Sequence, residues 1–264
     1  MDLIKVCSNG GEPCRSIHKE LEGSCTPAKL YQTWTLYVYI GKWQGYHVAI
    51  SSLASPRYKE DFDHNLEMLQ KLSPSPYVVQ LVGFCGDILV TEFHPWGSAR
   101  DVHRHQPTLP MKLQLCLSYI QVLAFLHNSP VGTRVMCDSN TLEKTLTQFL
   151  LTEDFHLVAN DLDALPEVKP GQGVKCGHEQ LHGTFVAPEQ LWPYGELSFE
   201  DDQMPPYDEK TDIWKIPDVC HWFLQDETSV RVKQKLRGIH HLCKNENPTL
   251  RPSAKELVDL YQIL

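Results

Sequence analysis

The stretch GTFVAPE at residues 183–189 constrains the fold of this chain more than any other sequence feature. Two further short motifs follow it, DIW at residues 212–214 and PTLRPS at residues 248–253. A single match of this kind is weak, but three in a fixed order at consistent spacing indicate one specific architecture. Chance is therefore a poor explanation for the set.

This order of motifs resembles the catalytic half of a protein kinase. Upstream lie VMCD at residues 135–138, FLL at 149–151 and LVANDLD at 157–163. The resemblance implies an α+β, two-lobed protein-kinase fold with a small β-rich N-lobe and a helical C-lobe. We expect residues 1–30 to be irregular, residues 31–96 to form the N-lobe and residues 97–264 to form the C-lobe.

Length and charge agree with one domain of this kind. The 264 residues carry a net charge of −9 without a run of basic residues, so no nucleic-acid partner is expected. No apolar run approaches 18 residues and residues 1–20 lack a hydrophobic segment, so we expect neither a membrane segment nor a signal peptide. The nine cysteines leave cytosolic and secretory origins open, with Cys7 and Cys14 as either a local disulfide or free thiols.

Hydrophobic patterns predict the main elements of both lobes. The predicted elements are strands at 35–40, 46–51 and 89–93, a turn at 41–45, and helices at 61–72 and 111–127. The second strand reads VAIS, so Ser51 stands where a kinase has its phosphate-binding lysine.

Phosphoryl transfer needs a group that receives the acceptor proton, ligands for metal ions and a cation for the phosphates. Asp138 takes the place of the catalytic base, with a purely structural carboxylate as the alternative. Asp161 takes the place of the metal-binding aspartate. Gln148 directly precedes the strand at 149–151 and is expected to give an oxygen to Mg²⁺ in place of Glu143, unless it only caps that strand.

Two departures from the kinase pattern accompany these residues. The insertion at residues 140–147 must bulge out of the catalytic loop. Asp163 replaces the usual glycine, and we expect it to tolerate a left-handed backbone conformation there. The alternative is that Asp163 is a second acid near the metal ions.

The phosphate-binding cation is harder to identify. Residues 28–37 contain no glycine, so a glycine-rich loop is not recognisable. Lys42 is the nearest candidate cation, and a surface lysine in a turn is the alternative. The acidic partner on the first helix is either Asp61 or Glu67.

The remaining candidate residues are expected either to stabilise the fold or to contact the nucleotide. Glu189 and Arg251 are expected to pair and tie the activation segment to the last helices. Asp212 is expected to accept hydrogen bonds from the catalytic-loop backbone. Glu92, at the end of a strand, is a candidate nucleotide contact at the hinge.

The departures themselves resemble one family, the protein O-mannose kinases, over residues 46–262. They lie at residues 136–140, at Gln148, and at residues 159–165 and 182–195. The resemblance implies use of ATP and Mg²⁺, and phosphorylation of the 6-hydroxyl of mannose in a GalNAc-GlcNAc-Man trisaccharide on α-dystroglycan. It also implies a type II membrane protein facing the lumen of the endoplasmic reticulum.

Two features of this sequence depart from that family. No signal anchor is evident, and we expect the sequence to be part of a longer protein. The lysine that the family places in its glycine-rich hairpin aligns with Leu36, so nucleotide binding by this chain needs a test.

The implied lumenal location suggests how the activation segment is held. Cys137 stands where many kinases have the arginine that binds an activation-loop phosphate, and Cys176 lies within that segment. We expect a Cys137–Cys176 disulfide to replace the phosphate. The alternative is a buried Cys137 and a free Cys176 thiol.

Three functions remain in order of preference. The first is a glycan kinase using Asp138, Gln148 and Asp161. The second is a pseudokinase scaffold, which explains Ser51 and the missing glycines. The third is an atypical Ser/Thr protein kinase, disfavoured because Asn140 replaces a lysine usual in that class.

Overall fold

The computed structural model describes residues 29–32, 36–225 and 229–263. These residues form two compact units. The first contains the described residues through Pro95 together with Asp161–Asp163, and the second contains Trp96–Asn160 and the described residues from Ala164 onward. Cys7 and Cys14 lie outside the described residues.

The first unit is a five-stranded antiparallel sheet with one helix, and its strand order is β1-β2-β3-β5-β4. Its elements are β1 Lys29–Gln32, β2 Leu36–Trp43, β3 Tyr46–Leu53, α1 Lys59–Leu72, β4 Leu81–Cys85 and β5 Ile88–Glu92. Helix α1 is amphipathic and buries Phe62, Leu69 and Leu72 on one face. Since β1 starts at Lys29, the expectation of an irregular segment through residue 30 is wrong at its last two residues.

The β2–β3 hairpin turns over only two residues, Gln44 and Gly45. Both have positive φ, 51° and 86°, as a tight hairpin turn requires. The expected turn from residue 41 is therefore too long. Gly41 is instead a buried strand residue, where an added Cβ would lie 2.5 Å from Ile50 Cδ1.

The second unit is mainly helical. Its helices are α2 Leu109–His127, α3 Leu142–Thr147, α4 Lys210–Phe223, α5 Val230–Cys243 and α6 Ala254–Gln262. Two short antiparallel pairs complete it, β6 Thr133–Arg134 with β9 Glu167–Val168 and β7 Phe149–Leu151 with β8 Leu157–Ala159. An antiparallel-sheet unit followed by a helical unit confirms the expected α+β class.

Helix α2 is the core of the second unit. It buries Leu115, Ile120 and Leu123 completely and packs against α4 and α6. By length and composition it is the one helix in the described part of the chain that is apolar enough to cross a membrane. The central helix of a globular unit has the same composition, and the packing of α2 explains its apolar character.

Candidate active site

The candidate base, Asp138, lies between β6 and α3 in the second unit. Its Oδ2 atom is 2.5 Å from the Nζ atom of Lys144. Both side chains are partly exposed, so solvent weakens the attraction between them. The pair places an ammonium group directly beside the carboxylate expected to receive a proton.

Helix α3 holds Lys144 in this position. Residues 140–147 were expected to bulge, and most of them form this short helix. Thr141 is its N-cap, since the threonine hydroxyl accepts the backbone N–H of Lys144 at 3.2 Å. Lys144 was missed from the sequence, although a capping threonine three residues before it was a readable helix start.

Backbone contacts fix the loop on both sides of Asp138. The N–H of Met136 donates to Asp212 Oδ2 at 3.1 Å, and the hydroxyl of Ser139 donates to the carbonyl of Met136. The Nζ atom of Lys215 donates to Ser139 Oγ at 2.6 Å. The N–H and the carbonyl of Met136 are thus held by the side chains of Asp212 and Ser139, and Ser139 is held in turn by Lys215 of α4.

Lys215 is the residue of this network that sequence reasoning missed. Its side chain is 0% exposed, and its Nζ atom lies 3.6 Å from Asp212 Oδ1. Burial lowers the pKa of Lys215 below its usual value, although the neighbouring Asp212 acts to raise it. Asp212 also lies 3.2 Å from Nε2 of the buried His127. The sequence did offer one signal for a buried ion pair, a lysine three residues after Asp212 on a helix with many apolar residues.

Gln148 ends α3 and precedes β7. Its side chain is 1% exposed, and its Nε2 atom has no hydrogen-bond partner among the described residues. The backbone carbonyl of Gln148 accepts a hydrogen bond from the backbone N–H of Asn160 at 2.9 Å. Glu143, the alternative at the usual spacing, is instead exposed and lies 3.2 Å from Arg100.

The buried amide of Gln148 fits a role as an oxygen ligand. The two ends of an amide have the same shape, so a half-turn about its last bond exchanges the unpartnered nitrogen for oxygen. Mg²⁺ binds oxygen ligands. Glu143 is directed to Arg100 and does not offer this group.

Asp161 and Asp163 belong to the first unit. Each offers a carboxylate oxygen, and the two oxygens lie within 4.8 Å of one another, a spacing suited to a divalent cation. Between them, the N–H of Leu162 donates to Oδ1 of the buried Asn65 at 3.0 Å. The expectation of a left-handed Asp163 is wrong, because its φ is not positive. The hydrogen bond to Asn65 holds the neighbouring peptide without such a conformation.

The acidic partner expected on α1 is not found at either predicted position. Asp61 is exposed, and Glu67 is exposed and pairs with Lys71 at 2.5 Å. The polar residue on the buried face of α1 is Asn65. The helical period placed Phe62, Leu69 and Leu72 correctly on the buried face but carried no information on which polar residue turns inward.

Lys42 is exposed near the end of β2, opposite His47. Side chains alternate along a strand, so Lys42 shares a sheet face with Val38, the register partner of Ser51. Four residues separate Lys42 from Val38, about 13 Å along the strand. Lys42 therefore lies on the same sheet face as Ser51, and its contact with the phosphates stays a prediction. Leu36, aligned with the family lysine, pairs with Leu53.

Glu92 ends β5, and its carboxylate has partners within the first unit. Its Oε1 atom accepts the N–H of Gln80 at 2.8 Å and lies 3.2 Å from His94 Nε2. Burial acts to raise the pKa of Glu92, but the hydrogen bonds with His94 and Gln80 outweigh it and the pKa lies below its usual value. The nucleotide contact of Glu92 stays a prediction.

Glu189 and Arg251 form a two-pronged ion pair with N–O distances of 2.6 and 2.8 Å. The Arg251 side chain is fully buried and also donates to the carbonyls of Lys210 and Asn245. Such fork geometry matches a carboxylate closely. The pair joins the segment before residue 190 to the start of α4 and the chain before α6.

A disulfide joins Cys137 and Cys176, with their Cα atoms 4.9 Å apart. Both cysteines are buried in one apolar cluster with Val135, Val174, Met204 and Tyr207. The N–H of Cys176 donates to the hydroxyl of Tyr207 at 2.7 Å. The residue next to Asp138 is thus covalently tied to the activation segment.

Comparison with known proteins gives a consistent assignment. No protein-family model matches the chain. It is 51% identical over 239 residues to protein O-mannose kinase of Gallus gallus, covering 85% of this chain and 67% of that protein. The human and Xenopus laevis proteins of that name are each 48% identical over the same length, covering 68% of each.

A more distant relative supports the kinase-like fold. The chain is 24% identical over 222 residues to the probable serine/threonine-protein kinase PBL8 of Arabidopsis thaliana, covering 72% of this chain and 54% of that protein. This similarity agrees with the α+β architecture of the structure. The identity to the three vertebrate proteins extends over 85% of the chain and assigns its family. This chain belongs to the protein O-mannose kinase family.

Proposed function

We propose that this protein transfers the terminal phosphate of ATP to the 6-hydroxyl of an O-linked mannose in a GalNAc-GlcNAc-Man trisaccharide on α-dystroglycan. Family membership supports the reaction class. The observation that carries the proposal is the retained Asp138, paired with Lys144 and held by the contacts of Met136 and Ser139 with α4.

Each residue has a distinct role in this reaction. The Asp138 carboxylate orients the mannose hydroxyl and receives its proton. The Lys144 ammonium keeps this carboxylate oriented and offsets negative charge beside the transferred phosphate. We propose Gln148 and, separately, Asp161 as oxygen ligands for Mg²⁺, which when bound would supply positive charge to the phosphate oxygens.

The disulfide supports a lumenal location. Such bonds persist in oxidising compartments, and the endoplasmic reticulum is one of them. We therefore propose that the protein faces that lumen, and its family membership supports the further proposal that it is a type II membrane protein. The Cys137–Cys176 bond then orders the activation segment without phosphorylation.

Asp138→Asn tests the catalytic role. The variant keeps the size of the side chain but removes the proton acceptor, so we expect mannose phosphorylation to fall at least ~100-fold. Asp154→Asn is the matched control, because Asp154 is an exposed aspartate in the β7–β8 turn. Both variants should show the parental far-UV circular dichroism and melting temperature. Near-parental turnover of Asp138→Asn would remove Asp138 from the mechanism.

A pseudokinase scaffold is the second candidate. It is favoured by Ser51, which stands at the usual lysine position of a kinase, and by Leu36, which stands at the position aligned with the family lysine. Titration of ATP with and without Mg²⁺ separates the two candidates. The kinase requires metal-dependent binding, whereas a scaffold of this kind shows none.

A further inference from the structure

A groove lies between the end of α4 and the outer face of α5 in the second unit, and we call it the α4–α5 groove. Its volume is about 1250 Å³. Small-molecule sites usually enclose about 300–1000 Å³, so this groove has room for a short stretch of polypeptide. His221 lines it and lies nine residues beyond Asp212 on α4, about 14 Å along the helix axis. The groove is therefore separate from the residues that hold the catalytic loop.

The floor of the α4–α5 groove is apolar. It is formed by Leu224 at the end of α4 and by Val232 and Leu236 on α5. Leu236 is buried, whereas Leu224 and Val232 are only half-buried. Apolar side chains of a partner would displace water from this half-exposed surface, which stabilises a complex.

The rim of the groove carries positive charge. Lys233 and Arg237 are exposed and lie one helical turn apart, on the same face of α5. Neither side chain forms an ion pair with another residue that the structure describes. Lys244 also lines the groove, but its Nζ atom lies 2.5 Å from Asp218. Among the described residues no carboxylate lines the groove, so Lys233 and Arg237 have their charges available to a ligand.

This positive charge is concentrated in a protein with an excess of acid. The whole chain has a net charge of −9, yet α5 contains no acidic residue. Its lysines and arginines are Arg231, Lys233, Lys235 and Arg237. The local charge of α5 therefore opposes that of the rest of the chain, and it attracts and orients an anionic partner.

We infer that the α4–α5 groove binds an acidic segment of a partner protein. Carboxylates of the segment lie beside Lys233 and Arg237, and its apolar side chains lie on the floor formed by Leu224, Val232 and Leu236. Grooves with an apolar floor and a charged border bind peptides in this way. The inference goes beyond the proposed function and does not depend on it, because the groove shares no residue with the catalytic loop.

The shape of the groove favours a peptide over a membrane or a small anion. A bilayer surface is planar, so it would meet Lys233 and Arg237 but leave the apolar floor empty. An inorganic anion would likewise use the cations alone. Only a ligand with both carboxylates and apolar side chains uses the floor and the rim together.

Fluorescence anisotropy with synthetic peptides tests the groove directly. The probe is a short labelled peptide of glutamates with leucines at helical spacing. A second peptide has glutamine in place of each glutamate, and a third has serine in place of each leucine. We expect the first peptide to bind the folded protein and the other two to bind at least ~10-fold more weakly. Added salt should weaken binding of the first peptide, because the contacts at the rim are exposed.

Charge reversal on α5 locates the bound peptide. Lys233→Glu/Arg237→Glu should weaken binding of the first peptide ~10-fold or more, because two attractive contacts become repulsive. Lys169→Glu/Lys255→Glu is the matched control, since it changes the net charge equally at exposed positions outside the groove. The control should bind within about twofold of the parent. Both variants should keep the parental circular dichroism and melting temperature; if the reversal does not fold, Lys233→Gln/Arg237→Gln replaces it with an expected loss of about threefold.

Selective weakening in the α5 variant, with parental binding in the control, supports the proposal. No binding of the first peptide by the parent up to ~1 mM overturns it, as does equal weakening by both charge reversals or equal binding of the three peptides. Flotation with vesicles of phosphatidylserine and phosphatidylcholine tests the membrane. Vesicle binding that depends on Lys233 and Arg237, without peptide binding, assigns the surface to lipid and overturns the proposal. Self-association of the parent in sedimentation, abolished by the same reversal, assigns it to a second copy and also overturns it.

Discussion

Replacing Lys215 by methionine probes the buried network beneath the catalytic loop. The substitution keeps the length of the side chain but removes the ammonium group that contacts Ser139 at 2.6 Å and Asp212 at 3.6 Å. Asp212 is then left as a buried carboxylate without its cationic neighbour. Removing one partner of a buried ion pair typically costs about 3–5 kcal/mol, so we expect Lys215→Met to lower the free energy of unfolding by that amount.

Urea unfolding followed by circular dichroism measures this cost. Lys255→Met on α6 is the control, because Lys255 is exposed and its loss should change stability by at most about 0.5 kcal/mol. In the double variant Asp212→Asn/Lys215→Met, the cost should be below the sum of the single costs by about 1–3 kcal/mol. A loss below about 1 kcal/mol for Lys215→Met, or additive single costs, would refute the reasoning.

The same variant has a pH signature. Burial lowers the pKa of Lys215 in the folded state, so between that value and the ordinary 10.5 the unfolded chain binds a proton that the folded chain does not. Stability from this group therefore rises with pH through that window and falls as pH decreases. Lys215→Met should flatten this slope, while Lys255→Met should retain it.

Three further perturbations address the site. Lys144→Met should lower kcat ~10-fold or more with a smaller change in the KM for ATP, measured by steady-state kinetics; an unchanged kcat contradicts its role beside Asp138. Gln148→Met should raise the Mg²⁺ concentration needed for half-maximal activity, and Glu143→Gln should not; equal shifts would argue against Gln148 as a ligand. Replacing Cys137 and Cys176 by serine should cost about 3–4 kcal/mol in urea unfolding, and a parental midpoint would show that the disulfide adds no stability.

The fold could be predicted from the sequence because two kinds of pattern indicate it: short motifs in a fixed order, and the spacing of apolar residues within single elements. The motifs at 183–189, 212–214 and 248–253 gave the architecture of the helical unit. The helical period of α1 gave its buried face. The motifs are recognised by their resemblance to protein kinases, and the helical period is set by residues close in sequence, so neither signal requires knowledge of the folded structure.

The parts of the site that were missed depend on which polar side chain turns inward. Lys144 reaches Asp138 because residues Leu142–Thr147 of the insertion fold as α3. The expected bulge did not predict where the Lys144 side chain would lie. Asn65, rather than either predicted acid, lies on the buried face of α1, because the helical period identifies a buried face but not its polar member. Lys215 was overlooked because a lysine in a helix is ordinarily exposed, and only the folded network shows its partners.

The identity of the phosphorylated atom tests the central claim most directly. The protein is incubated with ATP, Mg²⁺ and the GalNAc-GlcNAc-Man trisaccharide, and the product is examined by ³¹P and ¹H nuclear magnetic resonance. A phosphate on the mannose 6-hydroxyl, formed by the parent and lost in Asp138→Asn, is the predicted result. Phosphate on another sugar or hydroxyl, or an unmodified trisaccharide with a folded parent protein, would contradict it.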